Sequence, residues 1–197
     1  MRFAIADPPY LGSAYRWYGI NGRAKGNGWG RADQHPEAQI WDNPETHEKL
    51  AEKLLNEFDG FAIALTSHSL STYLKVIKTE RENGIRIMAW IKPASLPSGS
   101  RITQSFEPVI VKIPKERKGR KIGKQMVDYL IKSAPKKGFV GSKPKEWTYW
   151  VLDAMGIQKD DEVVDLFNGS GAVNQAIEEY KKGLWWQHIF GVKIATN

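Results

Sequence analysis

The chain has 197 residues, 41% hydrophobic and 26% charged, a globular composition long enough to bury roughly 70% of its unfolded surface. Cysteine is absent, which excludes a disulfide framework, a thiol nucleophile and a cysteine zinc site, and His35, His47, His68 and His188 lack ligand spacing, so no metal is expected. The net charge of +7 is concentrated: residues 112–145 carry twelve Lys or Arg against Glu116 and Asp128, leaving the rest of the chain slightly acidic.

Residues 2–6 read as a short buried strand, stopped by Asp7-Pro8-Pro9 because two prolines cannot continue a ladder. Residues 11–31 hold six glycines, four basic residues and no acid, interleaved with Tyr15, Trp17, Tyr18 and Trp29. No period survives there, so the stretch reads as a long functional loop. Asn43-Pro44-Glu45 opens a helix to about residue 57, with Leu50, Leu54, Leu55 and Phe58 at helical spacing.

Three further strands are expected at 60–67, 85–93 and 106–113, with a helix over about 70–83 and a turn at SLPSGS. The basic segment follows, with one short helix around 123–133. A helix over 145–156 places Trp147, Trp150, Val151 and Met155 on one face and stops at Gly156. EVVDLFNGSG (162–171) is a strand running into a glycine loop, AVNQAIEEYKK is the helix it opens, and 184–194 is a last strand. Continuously apolar strands alternating with helices predict an α/β fold in three layers on a mostly parallel sheet. One domain is expected over 1–197, with a basic insert at about 112–142. No internal repeat, signal peptide or apolar run of membrane length is visible, so a cytoplasmic protein is expected.

Two strand ends carry the chemistry, because ligands of open α/β sheets bind beyond the carboxyl ends of strands. In Asp7-Pro8-Pro9-Tyr10 the prolines fix the backbone and leave carbonyls as acceptors, Asp7 adds a carboxylate and Tyr10 a flat ring. That set suits a planar ligand with an exocyclic amine; a proline-stopped strand with a packing tyrosine is the plainer reading of the same residues. In Asp165 to Gly171, glycines after a buried strand let backbone approach a ligand closely at the start of a helix. The absence of G-x-x-x-x-G-K-[ST] disfavours nucleotide hydrolysis. Glu107 either makes a local pair or caps this edge. The basic block fits a polyanion partner or a solvated loop. Trp90, Trp147, Trp150, Trp185 and Trp186 fall in apolar elements and read as core, while Trp17 and Trp29 stay open. His35 and His68 read as structural or solvated, and no G-x-S-x-G surrounds Ser67 and Ser69.

DPPY, then AWIKP, FEPVIV, Lys143-Pro144 and VVDLFNGSGAVNQA, in that order, resembles the amino-methyltransferases of DNA, which methylate adenine N6 or cytosine N4 from S-adenosylmethionine. The catalytic motif preceding the glycine loop resembles the permuted beta group. The resemblance implies a Rossmann-like fold. It assigns Asp7, Pro8, Pro9 and Tyr10 to the amine of a flipped base. It assigns Asp165, Phe167, Asn168, Gly169, Ser170 and Gly171 to the cofactor, with Lys143 and Pro144 opening a helix beside it. Arg16 and Arg23 in the aromatic loop, and Lys115, Arg117, Lys118, Arg120, Lys121 and Lys124 in the basic segment, are expected to meet DNA phosphates. With little structured surface left to read a groove, sequence specificity is expected to be short or relaxed and binding strongly salt-dependent.

Adenine N6 is the favoured target, in a bacterial or virus-infected bacterial cell, with a homodimer open. Cytosine N4, RNA, and a catalytically silent nucleic-acid binder are the alternatives. Members of the group carry an acidic ribose-binding residue after the strand that follows the glycine loop. This chain has no Asp or Glu beyond Glu179, and Gln187 or Lys193 would stand there.

Overall fold

The protein is described from a computed structural model covering residues 1–22, 34–93, 101–119, 125–135 and 141–183. β1 (Arg2–Ala6) is followed by α1 (Ala14–Tyr18), α2 (Pro44–Glu57), β2 (Gly60–Ala64), α3 (Leu70–Val76), β3 (Ile85–Ile91), β4 (Phe106–Lys112), β5 (Tyr129–Ile131), α4 (Lys145–Met155), β6 (Glu162–Asp165) and α5 (Ala172–Lys181). Six strands form one sheet in the order β5-β3-β4-β2-β1-β6. β1 pairs in parallel with both β2 and β6, and β3 with β5; β4 alone runs against its neighbours.

Sequence and layering agree for a simple reason. Four of five residues in β1 and all of β2 are buried, which requires cover on both faces. On one face Leu50, Ala51 and Leu54 of α2 and Tyr73 of α3 meet Ala4, Ala6, Phe61 and Ile63. On the other, Trp147, Val151 and Met155 of α4 meet Phe3, Ile5, Ala62 and Val109. This is the expected Rossmann-like α/β sandwich, mostly parallel, in three layers. The Asn43 side chain accepts from the Glu45 amide at the start of α2 (3.0 Å), a cap that contributes about 1 kcal/mol. Gly156 ends α4 in the left-handed region at φ 69°.

Three local expectations change. The helix expected over 70–83 ends at Val76, with a separate 3-10 turn at Arg81–Asn83. The loop after Tyr10 contains α1, whose first amides, Ala14 and Tyr15, donate to the Asp42 carboxylate (2.9 Å each). Where a helix was expected around 123–133, residues 129–131 form β5 against the open edge of β3; a tertiary partner overrides local helical preference. Arg23, Trp29, Arg120, Lys121, Lys124, Trp185, Trp186, Gln187, Lys193, the SLPSGS turn and the last predicted strand lie outside the described residues. No helix among the described residues is long and apolar enough to cross a membrane.

Candidate active site at the carboxyl edge of the sheet

The register fixes which residues meet. Ile5 of β1 stands beside Asp165 of β6, so Asp7 and the glycine loop leave adjacent strands at one edge. Because β4 is antiparallel, its first residues reach that same edge, with Glu107 opposite Trp90 of β3. A cavity of about 510 Å³ opens there, within the usual range for small-ligand sites. Its walls include Asp7, Pro9, Tyr18, Lys143, Asp165 and the whole loop from Phe167 to Gly171. The two predicted motifs, 158 residues apart, therefore share one cavity.

Asp165 is half-buried and its carboxylate accepts from the Phe167 amide (3.1 Å). Burial pushes its pKa up, opposed by that amide bond. Asn168, Gly169 and Ser170 are exposed at the loop tip, and Gly171, at φ 76°, precedes α5. A side chain at Gly171 would be strained by that backbone whatever room surrounds it. Phe167 meets Trp41 edge-on (5.0 Å), Trp41 meets His47, and His47 meets Tyr73. His47 is buried, its ring nitrogens 2.7 Å from the Tyr73 hydroxyl and the Trp41 carbonyl. Burial lowers its pKa.

Across the cavity lies a buried charge cluster. The Lys143 ammonium sits 2.8 Å from both Asp7 oxygens, 3.0 Å from the Tyr10 hydroxyl and 3.2 Å from the Gly141 carbonyl. Its side chain is 2% exposed. The rings of Tyr10, Trp90 and Trp147 lie 5.3–5.7 Å from it, close enough for cation–π attraction. Tyr10 donates to Glu107 (2.7 Å), and Lys92 closes the chain on the other Glu107 oxygen (2.5 Å). Two carboxylates and two ammoniums thus balance.

Burial opposes charge on Lys143, but Asp7 and Glu107 outweigh it and raise its pKa. For Glu107, burial pushes up while Lys143 and Lys92 pull further down, so the group is lowered. Burial pushes Asp7 up against the pull of Lys143. Burial and the neighbouring Glu107 and Asp7 charges hold Tyr10 far above its ordinary range, as a neutral phenol.

The sequence reading gave Lys143 to the cofactor side; it lines the cavity, but its ammonium is turned to Asp7. Pro144 caps α4. Arg16 is exposed on α1. Lys115, Arg117 and Lys118 follow β4 and so occupy the opposite edge, roughly 20 Å away for a seven-residue strand. Arg117 is bound to Asp161 (3.0 Å), and Lys118 donates to the carbonyls of Arg81 and Glu82 (3.4 and 2.8 Å). Glu107 makes a local pair with Lys92 and stands beside Lys143 at this edge. Lys92, Tyr18 and His35 were not foreseen as site residues; a lysine before proline at a strand end was the available signal for Lys92. Among the described residues no cluster of His, Asp or Glu is arranged to hold a metal.

No protein-family model and no curated protein matches the chain. Solved structures do. The crystal structure of M1.HpyAVI is similar over 91% of this chain and 76% of that one, with 19% identity and a TM-score of 0.54. The crystal structure of the M1.HpyAVI–SAM complex is similar over 90% and 77%, with 19% identity and a TM-score of 0.53. The likeness establishes a shared fold.

Proposed function

We propose that the protein is an S-adenosylmethionine-dependent methyltransferase acting on an exocyclic nucleobase amine in DNA, with adenine N6 as the target. The observation that carries this reading is the cavity walled both by Asp7 and Pro9 of the first motif and by Asp165 and Phe167 to Gly171 of the second. That one of the similar structures is a SAM complex supports it.

The cavity fits the cofactor. Its volume suits the ligand, Asp165 offers an acceptor, and exposed Asn168, Gly169 and Ser170 let backbone approach at the start of a ten-residue helix. Phe167, braced by Trp41, adds an apolar wall. When bound, S-adenosylmethionine supplies a methyl carbon on positive sulfur, transferable in line to a nitrogen lone pair while sulfur keeps the bond's electrons.

The chain's own part is positioning. Asp7 and the Pro8 carbonyl accept the two amine hydrogens, which draws the nitrogen toward tetrahedral geometry and frees its lone pair. Tyr10, anchored through its hydroxyl, gives a ring to stack on. Holding both reactants in place supplies on the order of 7–11 kcal/mol of the barrier reduction. The proton lost from nitrogen after methylation passes toward Asp7 and solvent. A duplex base must leave the stack, at a cost of a few kcal/mol, and Arg16 on α1 is available to a backbone phosphate.

Reaction of DNA with methyl-labelled S-adenosylmethionine, followed by digestion to nucleosides, tests the reading. Label in N6-methyldeoxyadenosine is expected. Label in N4-methyldeoxycytidine would move the target base, and label only in RNA would move the substrate. The lack of any acid beyond Glu179 favours one rival, a silent nucleic-acid binder. No calorimetric heat with millimolar cofactor and no incorporation would establish that rival.

A further inference from the structure

Asp7 is the first acceptor for the amine in the reading above, and the following inference rests on that reading. Its carboxylate does not stand alone. Both oxygens accept from Lys143, and Lys143 is held in turn by the Tyr10 hydroxyl and by Glu107, whose Oε2 lies 3.7 Å from the ammonium. Glu107 comes from β4, Lys143 from the residue pair that opens α4, and Lys92 from the end of β3. Three elements thus converge behind one carboxylate.

We infer that Glu107 and Lys143 form a positioning pair for methyl transfer, fixing Asp7 as an oriented hydrogen-bond acceptor and Tyr10 as an oriented ring. The geometry determines which way each group faces. Lys143 meets both Asp7 oxygens, so the carboxylate cannot rotate without losing a charge-assisted bond. The lone pairs left over belong to a side chain that is 21% exposed and lines the cavity, so a ligand N–H can still reach them. Tyr10 donates to Glu107 and accepts from Lys143, which leaves its hydroxyl no proton to offer a ligand. The cluster therefore presents acceptors, not donors, to an incoming amine.

The charges act on Asp7 in opposite senses. Lys143 favours its ionised form, and Glu107 disfavours it. The other titratable groups facing the cluster are Tyr10 and Tyr18 from the segment after β1, Tyr73 from α3, Lys92 from the end of β3 and Asp165 from β6.

The test uses the full-length protein, Glu107→Gln, Lys143→Met and the double variant. One measurement is the pH dependence of single-turnover methyl transfer to DNA. The other is the NMR titration of the Asp7 carboxyl in protein labelled at the aspartate carboxyl carbons, assigned with Asp7→Asn. In Glu107→Gln the Asp7 midpoint and the acid limb of the rate are expected to move to lower pH. In Lys143→Met both should move to higher pH, and in the double variant they should return toward wild type. Each single variant should also lower the rate by about 10- to 100-fold through misplacement of Asp7.

A packing role without charge coupling to Asp7 would lower rate or stability and leave the midpoint still. Unmoved midpoints, or shifts of the same sign in both single variants, overturn the inference. The titration needs no turnover, so it decides the inference even if the wild type fails to methylate; that failure counts against the function instead. Should Lys143→Met not fold, Glu107→Gln alone decides by the sign of its shift.

Discussion

Two aspartates at opposite edges of the sheet are held in similar ways and serve different ends. Asp161, just before β6, accepts from the N-terminal amine, from Arg117 and from the Gln158 amide, and its side chain is 3% exposed. Asp7, just after β1, accepts from Lys143 through both oxygens, yet keeps 21% of its side chain exposed and lines the large cavity. In the first case every direction is filled by protein, and the carboxylate ties the start of the chain to the base of β6. In the second the protein fills one side only. Ion pairing at a strand end is thus no mark of a site by itself. What separates the two is the lone pairs left facing a cavity.

Crossed substitutions break this comparison most sharply. Asp161→Ala leaves Arg117 and the N-terminal amine without their carboxylate, and removing one partner of a buried pair costs about 3–5 kcal/mol. At this chain length that lowers Tm by at least about 6 °C, readable by calorimetry, while the cofactor affinity of the folded fraction stays unchanged. Asp7→Asn should do the reverse. Methyl transfer falls by about 100-fold or more, as when one preorganised polar contact to a reacting centre is lost, with a smaller fall in Tm than in Asp161→Ala. If Asp7→Asn keeps its activity, the role given to Asp7 is lost.

Acid exposes a second contrast, between the ionised cluster and the neutral His47 behind Phe167. Burial lowers the pKa of His47, so below its ordinary value of 6.5 the unfolded chain binds a proton that the folded chain does not. Stability from this group is therefore complete above that value and is lost as pH falls toward the folded pKa. Between pH ~7 and ~5.5, above the ordinary carboxylate range, His47 should pull wild-type Tm down, against the opposite pull of Asp7 and Asp165, which burial raises, and His47→Gln should remove that downward part of the slope. Glu107, lowered by Lys143 and Lys92, adds its own loss only below its ordinary value of 4.5.

Smaller effects sharpen the picture further. Gly171→Ala forces a side chain into φ 76°, a strain of about 1–2 kcal/mol, which should weaken cofactor binding several-fold by calorimetry. On DNA, Arg16→Ala should reduce the slope of log affinity against log salt by about one, whereas Lys115→Ala, at the far edge, should leave it unchanged. A reduced slope for Lys115→Ala with none for Arg16→Ala would place the polyanion on the basic segment instead.

The sequence made half of the site readable, and the reason is local. Pro8 and Pro9 must end β1 where they stand, and a glycine loop must follow the apolar run before Asp165, so both strand ends announce themselves. Glu107 and Lys92 meet only because β4 turns back against β3, and antiparallel pairing across a long connection leaves no trace in periodicity. Lys143 was expected beside the cofactor; it lines the cavity, and its ammonium meets Asp7. Nothing in Lys143-Pro144 says which carboxylate an ammonium will find 136 residues away. α1 was invisible for the same reason: its amides are held by Asp42, from outside the loop. β5 shows the converse, with three residues becoming a strand because β3 offered an open edge.

The order of strands also governs when the site can exist as the chain emerges. β1 lies between β2, made some 60 residues later, and β6, whose Glu162 pairs with Arg2. Until synthesis passes β6, β1 has one bare edge and the cavity lacks its glycine-loop wall. Contacts of such sequence separation form slowly. The cavity therefore closes late, and a chain cut before Glu162 carries Asp7 and Lys143 with no glycine-loop wall to face.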